Sequence, residues 1–410
     1  MVPISVLLLM KILVMTTMPA VAEASTTKNT LLPHCQDKCG NITIPYPFGV
    51  GEGCFREGFE VRCDYSASPP KPLIDTDSGS VEVVEIFLSG ELRIRAWIGR
   101  ACHDDSGAVN EARTQSIDLT SKPFTFSNTK NKFVAVGCDT VAIVEGIVRT
   151  NIRGISLPLR YAGGCVSHCY NSSMHGATNR CDGMGCCEAS IPKGLKQFGT
   201  SLRTNFNYSD ADMWGFSKCG YAFVAEEGRY QFEDGDLTNG AFDARFAIML
   251  DWSVGNLPCY LGIENGTGYA CRSRNSECSD APNPASIKTS LGYVCSCSAG
   301  YQGNPYLEHG CKDIDECADP GRYPCNESCT KTPGSYNCSC PPGAASADPK
   351  RFPCLPMRIS TEPSEAAACR VHLPALNIER RRGILQHKFF RYNGGLFMED
   401  VFKRRQVHDV

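Results

Sequence analysis

Two consecutive runs of six cysteines constrain this chain more than any other feature of its sequence. In each run the fourth and fifth cysteines form a Cys-x-Cys pair. A zinc site would require two separated Cys-x2-Cys pairs with few cysteines left over, so the spacing favours disulfides. The first run comprises Cys259, Cys271, Cys278, Cys295, Cys297 and Cys311, and the second comprises Cys317, Cys325, Cys329, Cys338, Cys340 and Cys354.

The N-terminus predicts entry into the secretory pathway, where disulfides form and persist. An apolar run from Val6 to Met15 is interrupted only by Lys11, and small residues follow it as far as Ala24. This arrangement predicts a signal peptide over residues 1–24. Sequons for N-glycosylation begin at Asn41, Asn171, Asn207, Asn265 and Asn326, and the weakest, at Asn337, has Cys338 as its middle residue.

The 25 cysteines divide into blocks of even size. Twelve lie between Cys35 and Cys219, six lie in each of the two runs, and Cys369 is left over. Even blocks favour pairing inside each block, although sequence alone leaves the partners of the first twelve open. Cys369 is therefore expected to be unpaired within the chain.

Charge and motifs narrow the function classes. The net charge is −3, so no global basic field argues for a nucleic-acid partner. The eight histidines show no His-Glu-x-x-His spacing, and no Lys-Ser/Thr follows the glycines of Gly49–Gly53 to make a phosphate loop. We therefore predict a binding protein rather than an enzyme.

The first part of the chain predicts β-structure. Two prolines and two glycines within residues 40–49 exclude a helix there. Alternating apolar residues in Val81–Leu88 and Leu92–Trp97 flank the turn sequence Ser89–Glu91, which is the pattern of a β-hairpin.

Three groups of motifs occur in a fixed order. Cys39-Gly-Asn-Ile-Thr-Ile-Pro-Tyr-Pro-Phe-Gly49 comes first, Cys219-Gly-Tyr-Ala-Phe-Val224 follows, and Asp313-Ile-Asp-Glu-Cys317 opens the second run of six cysteines. This order resembles the extracellular part of plant wall-associated receptor kinases over about residues 34–354. The two cysteine runs resemble the tandem epidermal-growth-factor-like (EGF-like) modules of that family.

The resemblance implies a mainly β, disulfide-rich fold. After the signal peptide it implies a galacturonan-binding-like domain (34–162), a second cysteine-rich segment (163–256), EGF-like modules at 257–311 and 312–355, and a disordered tail (356–410). It also implies pairing of first with third, second with fourth and fifth with sixth cysteine in each module. The pairs are Cys259–Cys278, Cys271–Cys295, Cys297–Cys311, Cys317–Cys329, Cys325–Cys338 and Cys340–Cys354.

The chain departs from the family after Cys354. The 56 residues that follow hold no apolar run near 18 residues and no kinase motif, although Arg380–Arg382 and Gln386–Gly395 resemble the family's basic juxtamembrane strip. Two interpretations stay open. One is a secreted, wall-located receptor ectodomain without enzymatic activity. The other is an incomplete copy of a transmembrane serine/threonine receptor kinase that senses the cell wall, in which case the protein is located in the membrane.

The resemblance implies pectin or oligogalacturonides as the ligand. A polymer of carboxylates calls for arginine or lysine and for a sugar-stacking surface. The candidates for the cations are Arg93, Arg95 and Arg100, and those for the stacking surface are Tyr46 and Phe48. The alternatives are a solvated strand face for the arginines and core packing for the aromatic residues. The EGF-like pair could also mediate contacts with other wall or receptor proteins, and a third interpretation gives it that role alone.

The second EGF-like module resembles the calcium-binding type. The resemblance implies side-chain ligands from Asp313 and Glu316 and backbone carbonyls from Ile314, Thr332 and Ser335. A further oxygen ligand is expected at the position of Lys331, where an ammonium instead repels calcium. We therefore expect a weakened calcium site. Lys331 either forms an internal ion pair or extends into solvent, and the first module is expected to bind no calcium.

Overall fold

The computed structural model describes residues 32–104, 108–152, 155–169, 180–204, 217–233, 235–238, 244–265, 268–281 and 292–357. The predicted signal peptide, the sequons at Asn171 and Asn207, Cys369 and nearly all of the predicted tail lie outside these ranges. The chain divides into two compact units. The larger contains the described residues up to Pro341 and Ser346–Cys354, and the smaller contains Pro342–Ala345 and the residues from Leu355 onward.

The first part of the larger unit is built almost entirely of antiparallel strands, as the sequence predicts. Its elements are β1 (Lys38–Cys39), β2 (Ile42–Thr43), β3 (Arg62–Asp64), β4 (Lys71–Thr76), β5 (Gly79–Phe87), β6 (Glu91–Trp97), β7 (Gly99–His103), β8 (Val109–Arg113), β9 (Ser116–Asp118), β10 (Phe124–Phe126), β11 (Asn131–Val136), β12 (Thr140–Ile152), β13 (Ile155–Ser167), β14 (Cys186–Ser190), β15 (Leu195–Thr204), β16 (Cys219–Glu226), α1 (Gly235–Thr238) and β17 (Arg245–Trp252).

Three larger sheets organise these strands. The first has the order β10-β17-β6-β5-β4-β3, the second β14-β11-β16-β7-β8, and the third β13-β12-β15-β9. The predicted hairpin is β5–β6, whose turn contains Gly90 at φ +98°, a backbone conformation that glycine adopts without strain. In β6, Leu92, Ile94 and Ala96 are buried, because alternate residues of a strand face opposite sides of the sheet.

The two predicted N-terminal segments share their sheets. Strand β17, from the end of the chain's second segment, pairs with β6 along Glu91–Trp97, and β10 extends the same sheet on the far side of β17. The boundary predicted at residues 162 and 163 falls inside β13, which pairs with β12 along its whole length. The segments 34–162 and 163–256 therefore interleave rather than folding as separate sheets.

An aromatic cluster forms the centre of the core under the first sheet. The Phe48 ring lies 5.0 Å from that of Phe59, 6.0 Å from that of Phe124 and 5.4 Å from that of Trp252, measured between centroids. The Tyr306 ring, from the first EGF-like module, lies 5.7 Å from Trp252. Residues far apart in sequence thus share one buried apolar cluster, and burial of such large rings is a main source of stability.

Six disulfides connect the first twelve cysteines, whose partners the sequence left open. They are Cys35–Cys54, Cys39–Cys63, Cys102–Cys219, Cys138–Cys169, Cys165–Cys187 and Cys181–Cys186. All six stay within the block, as even counts predict. Cys102–Cys219 joins the paired strands β7 and β16 across a separation of 117 residues.

The EGF-like region consists of short hairpins. Its elements in the larger unit are α2 (Cys259–Asn265), β18 (Ser276–Asp280), β19 (Tyr293–Cys297), β20 (Tyr301–Gly303), β21 (Cys311–Asp313), a 3-10 turn at Glu316–Ala318, β22 (Ser328–Thr332) and β23 (Ser335–Ser339). Its six disulfides have the pairing that the resemblance implies. The smaller unit contains the paired strands β24 (Ala344–Ala345) and β25 (Leu355–Pro356).

The first EGF-like module packs directly on the N-terminal sheets. The Asn304 side chain donates a hydrogen bond of 2.6 Å to the Tyr46 carbonyl, and Arg56 donates one of 2.7 Å to the Gly268 carbonyl. Val254, two residues after β17, pairs with Tyr293 at the start of β19. The first EGF-like module therefore packs against the N-terminal sheets and is not connected to them by a flexible linker alone.

Replacing Phe48 tests the aromatic cluster. Phe48→Ala should lower the free energy of unfolding by about 3–5 kcal/mol, because it removes a fully buried ring and leaves a cavity. Tyr65→Ala, at a side chain that is 66% exposed, should cost about 1 kcal/mol or less. Denaturant unfolding with the disulfides intact measures both. Equal losses for the two variants would contradict the position assigned to Phe48.

Candidate functional site

The two aromatic candidates for a sugar-stacking surface belong to the interior. Phe48 is fully buried inside the aromatic cluster and has no face open to a ligand, so its assignment to that surface is wrong. Tyr46 is half-buried and packs against the same core. The second of the two alternatives, core packing, therefore describes Phe48.

The three candidate arginines are each paired with a carboxylate. Arg93 donates two hydrogen bonds to Glu226, of 2.8 and 2.9 Å, and also pairs with Glu85. The hydrogen bonds to Glu226 raise the pKa of Arg93 above its ordinary value.

The other two arginines have longer contacts. Arg95 lies 3.6 Å from Glu82, and Arg100 lies 3.1 Å from Glu111. Each guanidinium of the candidate set therefore has an internal counter-charge, which leaves less attraction for a carboxylate ligand.

Trp97 was missed among the candidates, although the alternation that places Arg93 and Arg95 on one strand face also includes it. Its side chain is 46% exposed. The guanidinium carbons of Arg113 and Arg245 lie 4.9 and 4.7 Å from the ring centroid, within cation–π distance. This stacking already engages the indole with protein cations.

A cavity of about 510 Å³ lies where the first sheet meets the first EGF-like module. Its size falls within the usual range of small-ligand sites, about 300–1,000 Å³. Five segments of the N-terminal sheets line it: the β5–β6 turn, the loops around β10, the end of β12, the β14–β15 loop with the start of β15, and the chain that leaves β17. Ala281 and Val294 of the first EGF-like module complete the lining. The charged lining residues are Glu91, Lys122, Arg149, Lys193, Lys196 and Asp251, and Trp252 and Val294 add apolar surface.

The cations of the cavity differ from the strand-face arginines. Lys122 and Arg149 are half-buried, Lys193 is exposed, and none of the three forms a salt bridge with any residue in the described ranges. Of the two acids, Glu91 is paired with Lys130 outside the cavity lining. Burial raises the pKa of the other acid, Asp251. Four cations and two acids line the cavity, so the lining has a surplus of positive charge.

Lys196 is a buried residue of the cavity lining that holds a neighbouring loop in place. It is 6% exposed, and its ammonium donates hydrogen bonds to the carbonyls of Leu119, Lys122 and Phe124, the last at 2.6 Å. These bonds use all three ammonium protons and fix the loop that carries Lys122. Burial, with a smaller contribution from Arg149, lowers the pKa of Lys196 to about 7. Lys196 is therefore a structural cation, and the ligand-facing cations are the other three.

The predicted calcium ligands lie at the joint between the EGF-like modules. Asp313 Oδ1 accepts a 2.6 Å hydrogen bond from the Gly334 amide, and Asp313 Oδ2 lies 3.3 Å from the Lys331 ammonium. Glu316 is 3% exposed, and its Oε2 has no hydrogen-bond partner. Thr332 and Ser335 pair with each other next to the turn of the β22–β23 hairpin. Within the described residues, no cluster of three or more His, Cys, Asp or Glu side chains has the arrangement of a metal site.

Two of the predicted glycosylation sites can be located on the surface. Asn41 and Asn326 are both exposed, which a glycan requires. The Asn326 Nδ2 atom donates a hydrogen bond of 3.0 Å to the Pro349 carbonyl. Nothing is described of the Asn265 side chain. These assignments remain predictions.

The fold is that of a disulfide-rich, mainly β protein that carries EGF-like modules. The family model for the wall-associated receptor kinase galacturonan-binding domain matches residues 35–96, and the model for the calcium-binding EGF domain matches residues 313–354. No solved structure shows a significant match.

Several curated relatives are similar over most of the chain. Wall-associated receptor kinase 2 of Arabidopsis thaliana is 34% identical over 316 residues, which are 75% of this chain and 38% of the relative. Wall-associated receptor kinase 1 is 31% identical over 76% of this chain and 39% of its own length, and wall-associated receptor kinase-like 6 is 30% identical over 89% and 56%. Over the matched region the chain belongs to the wall-associated receptor kinase family, as part of its ectodomain.

The extent of the matches limits what they say about the whole protein. The chain spans about 38% of the first relative's length. Among the residues with a described structure, no helix is long and apolar enough to cross a lipid bilayer.

The titration of Lys196 predicts how the free energy of unfolding depends on pH. Its pKa is about 7 in the folded chain, against an ordinary lysine value of 10.5, so the unfolded chain binds more protons between these pH values. The free energy of unfolding should therefore rise from about pH 7 toward pH 10 and be lowest below pH 7. Lys196→Met, which does not titrate, should lack this contribution. Denaturant midpoints at several pH values measure it, and identical pH slopes for both proteins would contradict the assignment.

Proposed function

We propose that this chain binds de-esterified galacturonan, the acidic part of pectin, in the cavity beside Arg149. The observation that carries the proposal is the set of three cations on the cavity wall, Lys122, Arg149 and Lys193, that have no salt-bridge partner among the described residues. Galacturonan is a chain of uronates, and hydrogen bonds from Arg or Lys to carboxylates are shorter and stronger than neutral ones. The cavity therefore presents positive charge to the negatively charged carboxylates of the ligand.

The three arginines predicted from the sequence, Arg93, Arg95 and Arg100, are weaker candidates for the same ligand. A uronate that binds Arg93 must compete with Glu226, which already makes two hydrogen bonds to that guanidinium. Arg95 and Arg100 face the same competition from Glu82 and Glu111. No comparable carboxylate within the described ranges competes at Arg149, so a bond gained there displaces water rather than a protein carboxylate.

The binding unit that we propose is larger than the matched galacturonan-binding segment. Residues 35–96 supply the β5–β6 turn on one side of the cavity. The cations come from residues 122–196, and Ala281 and Val294 of the first EGF-like module complete the wall. A cavity of about 510 Å³ holds a short stretch of sugars, and a longer polymer passes over its rim.

The proposal concerns an extracellular role. As a secreted wall protein, the chain would bind pectin and compete with full-length receptors. As part of a longer receptor, it would be the sensing region of a transmembrane serine/threonine kinase. The relatives favour this second role, because they are receptor kinases and the matched region is only 38% of the first one's length. End-to-end sequencing of the transcript separates the two, because in-frame exons for a membrane span and a kinase would exclude the secreted form. Contacts of the EGF-like modules with other proteins remain part of the proposal.

Charge removal inside the cavity tests the proposed site. Arg149→Gln should weaken binding of a short oligogalacturonide about 10- to 150-fold, since a hydrogen bond to a charged group contributes about 1.5–3 kcal/mol. Changing Lys122 and Lys193 to Gln as well should abolish measurable binding. Calorimetric titration of the purified chain with a defined oligogalacturonide measures the affinity, and raising the salt concentration should weaken it.

Matched controls separate this site from the strand face. Arg95→Gln removes the same charge from a paired guanidinium and should leave affinity within about twofold. A fully methyl-esterified oligomer, which has no carboxylate charge, should not bind the unmodified chain. If Arg95→Gln weakens binding as much as Arg149→Gln does, the ligand lies on the strand face. If the unmodified chain does not bind at low salt, the proposed function is wrong.

A further inference from the structure

The joint between the two EGF-like modules is tightly packed. The Ile314 amide donates a hydrogen bond of 2.9 Å to the Gly300 carbonyl, and the hairpin turn of the second module meets the first module at Gly334. A Cβ atom placed on Gly300 would lie 1.9 Å from the Gly334 carbonyl oxygen, so the two backbones are in direct contact. Any side chain at Gly300 would force the modules apart.

Asp313 connects this joint to the charge of Lys331. Asp313, near the start of the second module, lies on β21, which pairs with β20 of the first module. One oxygen accepts the Gly334 amide at 2.6 Å, and the other lies 3.3 Å from the Lys331 ammonium. The carboxylate therefore connects β21, the strand that pairs with the first module, to the β22–β23 hairpin of the second module, through an amide on one oxygen and a cation on the other.

These residues do not fit a calcium ion. Calcium takes six to eight oxygen ligands, and it requires carboxylate oxygens that are free to turn toward it. Both oxygens of Asp313 are occupied by hydrogen donors, and the position where an oxygen ligand is expected carries an ammonium. Glu316 supplies one unpartnered buried oxygen, Oε2, but a single free side-chain oxygen is far short of the six to eight ligands that calcium takes.

We propose that the Lys331 ammonium takes the place of calcium in this module, so that the joint is held by an internal cation and does not respond to calcium. The ammonium supplies a positive charge 3.3 Å from Asp313 Oδ2. Lys331 is held in place by the β22–β23 hairpin, in which it pairs with Tyr336. The packing at Gly300 and Gly334 then persists at any calcium concentration.

Calcium titration of the full chain is the first test. The unmodified protein should give no saturable heat up to millimolar calcium. Lys331→Asn removes the repelling charge and restores an oxygen ligand, so it should bind calcium at least about tenfold more tightly. Arg351→Asn removes one positive charge from an 80% exposed position in the same module and should behave like the unmodified protein. Equal calcium affinity in the unmodified chain and Lys331→Asn, or no binding by either, would overturn the proposal.

Hydrogen exchange at the joint is the second test, and it does not depend on calcium affinity. The Ile314 and Gly334 amides should exchange at the same rate in calcium and in chelator in the unmodified protein. Lys331→Met, which keeps an apolar stem without a charge, should speed their exchange about two- to fivefold, and Lys331→Arg should restore the original rate. Exchange that accelerates when the unmodified protein loses calcium would overturn the proposal, as would an unchanged rate in a folded Lys331→Met.

Discussion

The packing of Trp252 is the contact on which most of the described structure depends. Its backbone amide donates to the Gly90 carbonyl at 2.8 Å, and its indole N–H donates to the Glu91 carbonyl at 3.0 Å. Its ring joins Phe48 and Phe59 on one side and Tyr306 of the first EGF-like module on another. Trp252, at the end of β17, thus binds the β5–β6 turn, packs in the core under the first sheet and contacts the first EGF-like module. The cavity exists because these three parts meet there.

The distribution of ion pairs decides which charges can serve a ligand. A surface count of arginines favours the strand face, where Arg93 and Arg95 lie side by side. Both are neutralised by glutamates on neighbouring strands or loops, and such pairs stabilise the sheet only modestly when exposed. The cavity cations lie on loops and strand ends, where the pairing of strands brings no glutamate opposite them. A charge is available to a ligand when the fold leaves it unpaired, and this property is not visible in composition.

Local patterns of the sequence predicted local structure, and non-local contacts were beyond their reach. Alternation around Ser89–Glu91 predicted the β5–β6 hairpin, because period-two burial is a property of a single strand pair. The pairing of β17 with β6 spans about 150 residues and carries no signal in either strand, so the interleaving of the two N-terminal segments could not be foreseen. The aromatic residues near Tyr46 had no burial signal either, since a proline-rich strand can face solvent or core. Lys331 was singled out because its neighbours along the chain define the position of a ligand. Whether its ammonium turns inward depends on the three-dimensional position of Asp313.

The cavity and the module joint are connected by a short rigid path. Val294 lines the cavity from β19, and one residue earlier Tyr293 forms a backbone bridge with Val254 beside the cavity wall. Three residues separate β19 from β20, whose pairing with β21 carries Asp313 into the second module. Each step of this path is a strand pair, a disulfide or a backbone contact, none of which bends easily. A polymer seated at the cavity therefore contacts the first module directly, and the orientation of the second follows from the Gly300–Gly334 contact. An internal cation at this joint would keep the stiffness of this path independent of the calcium concentration.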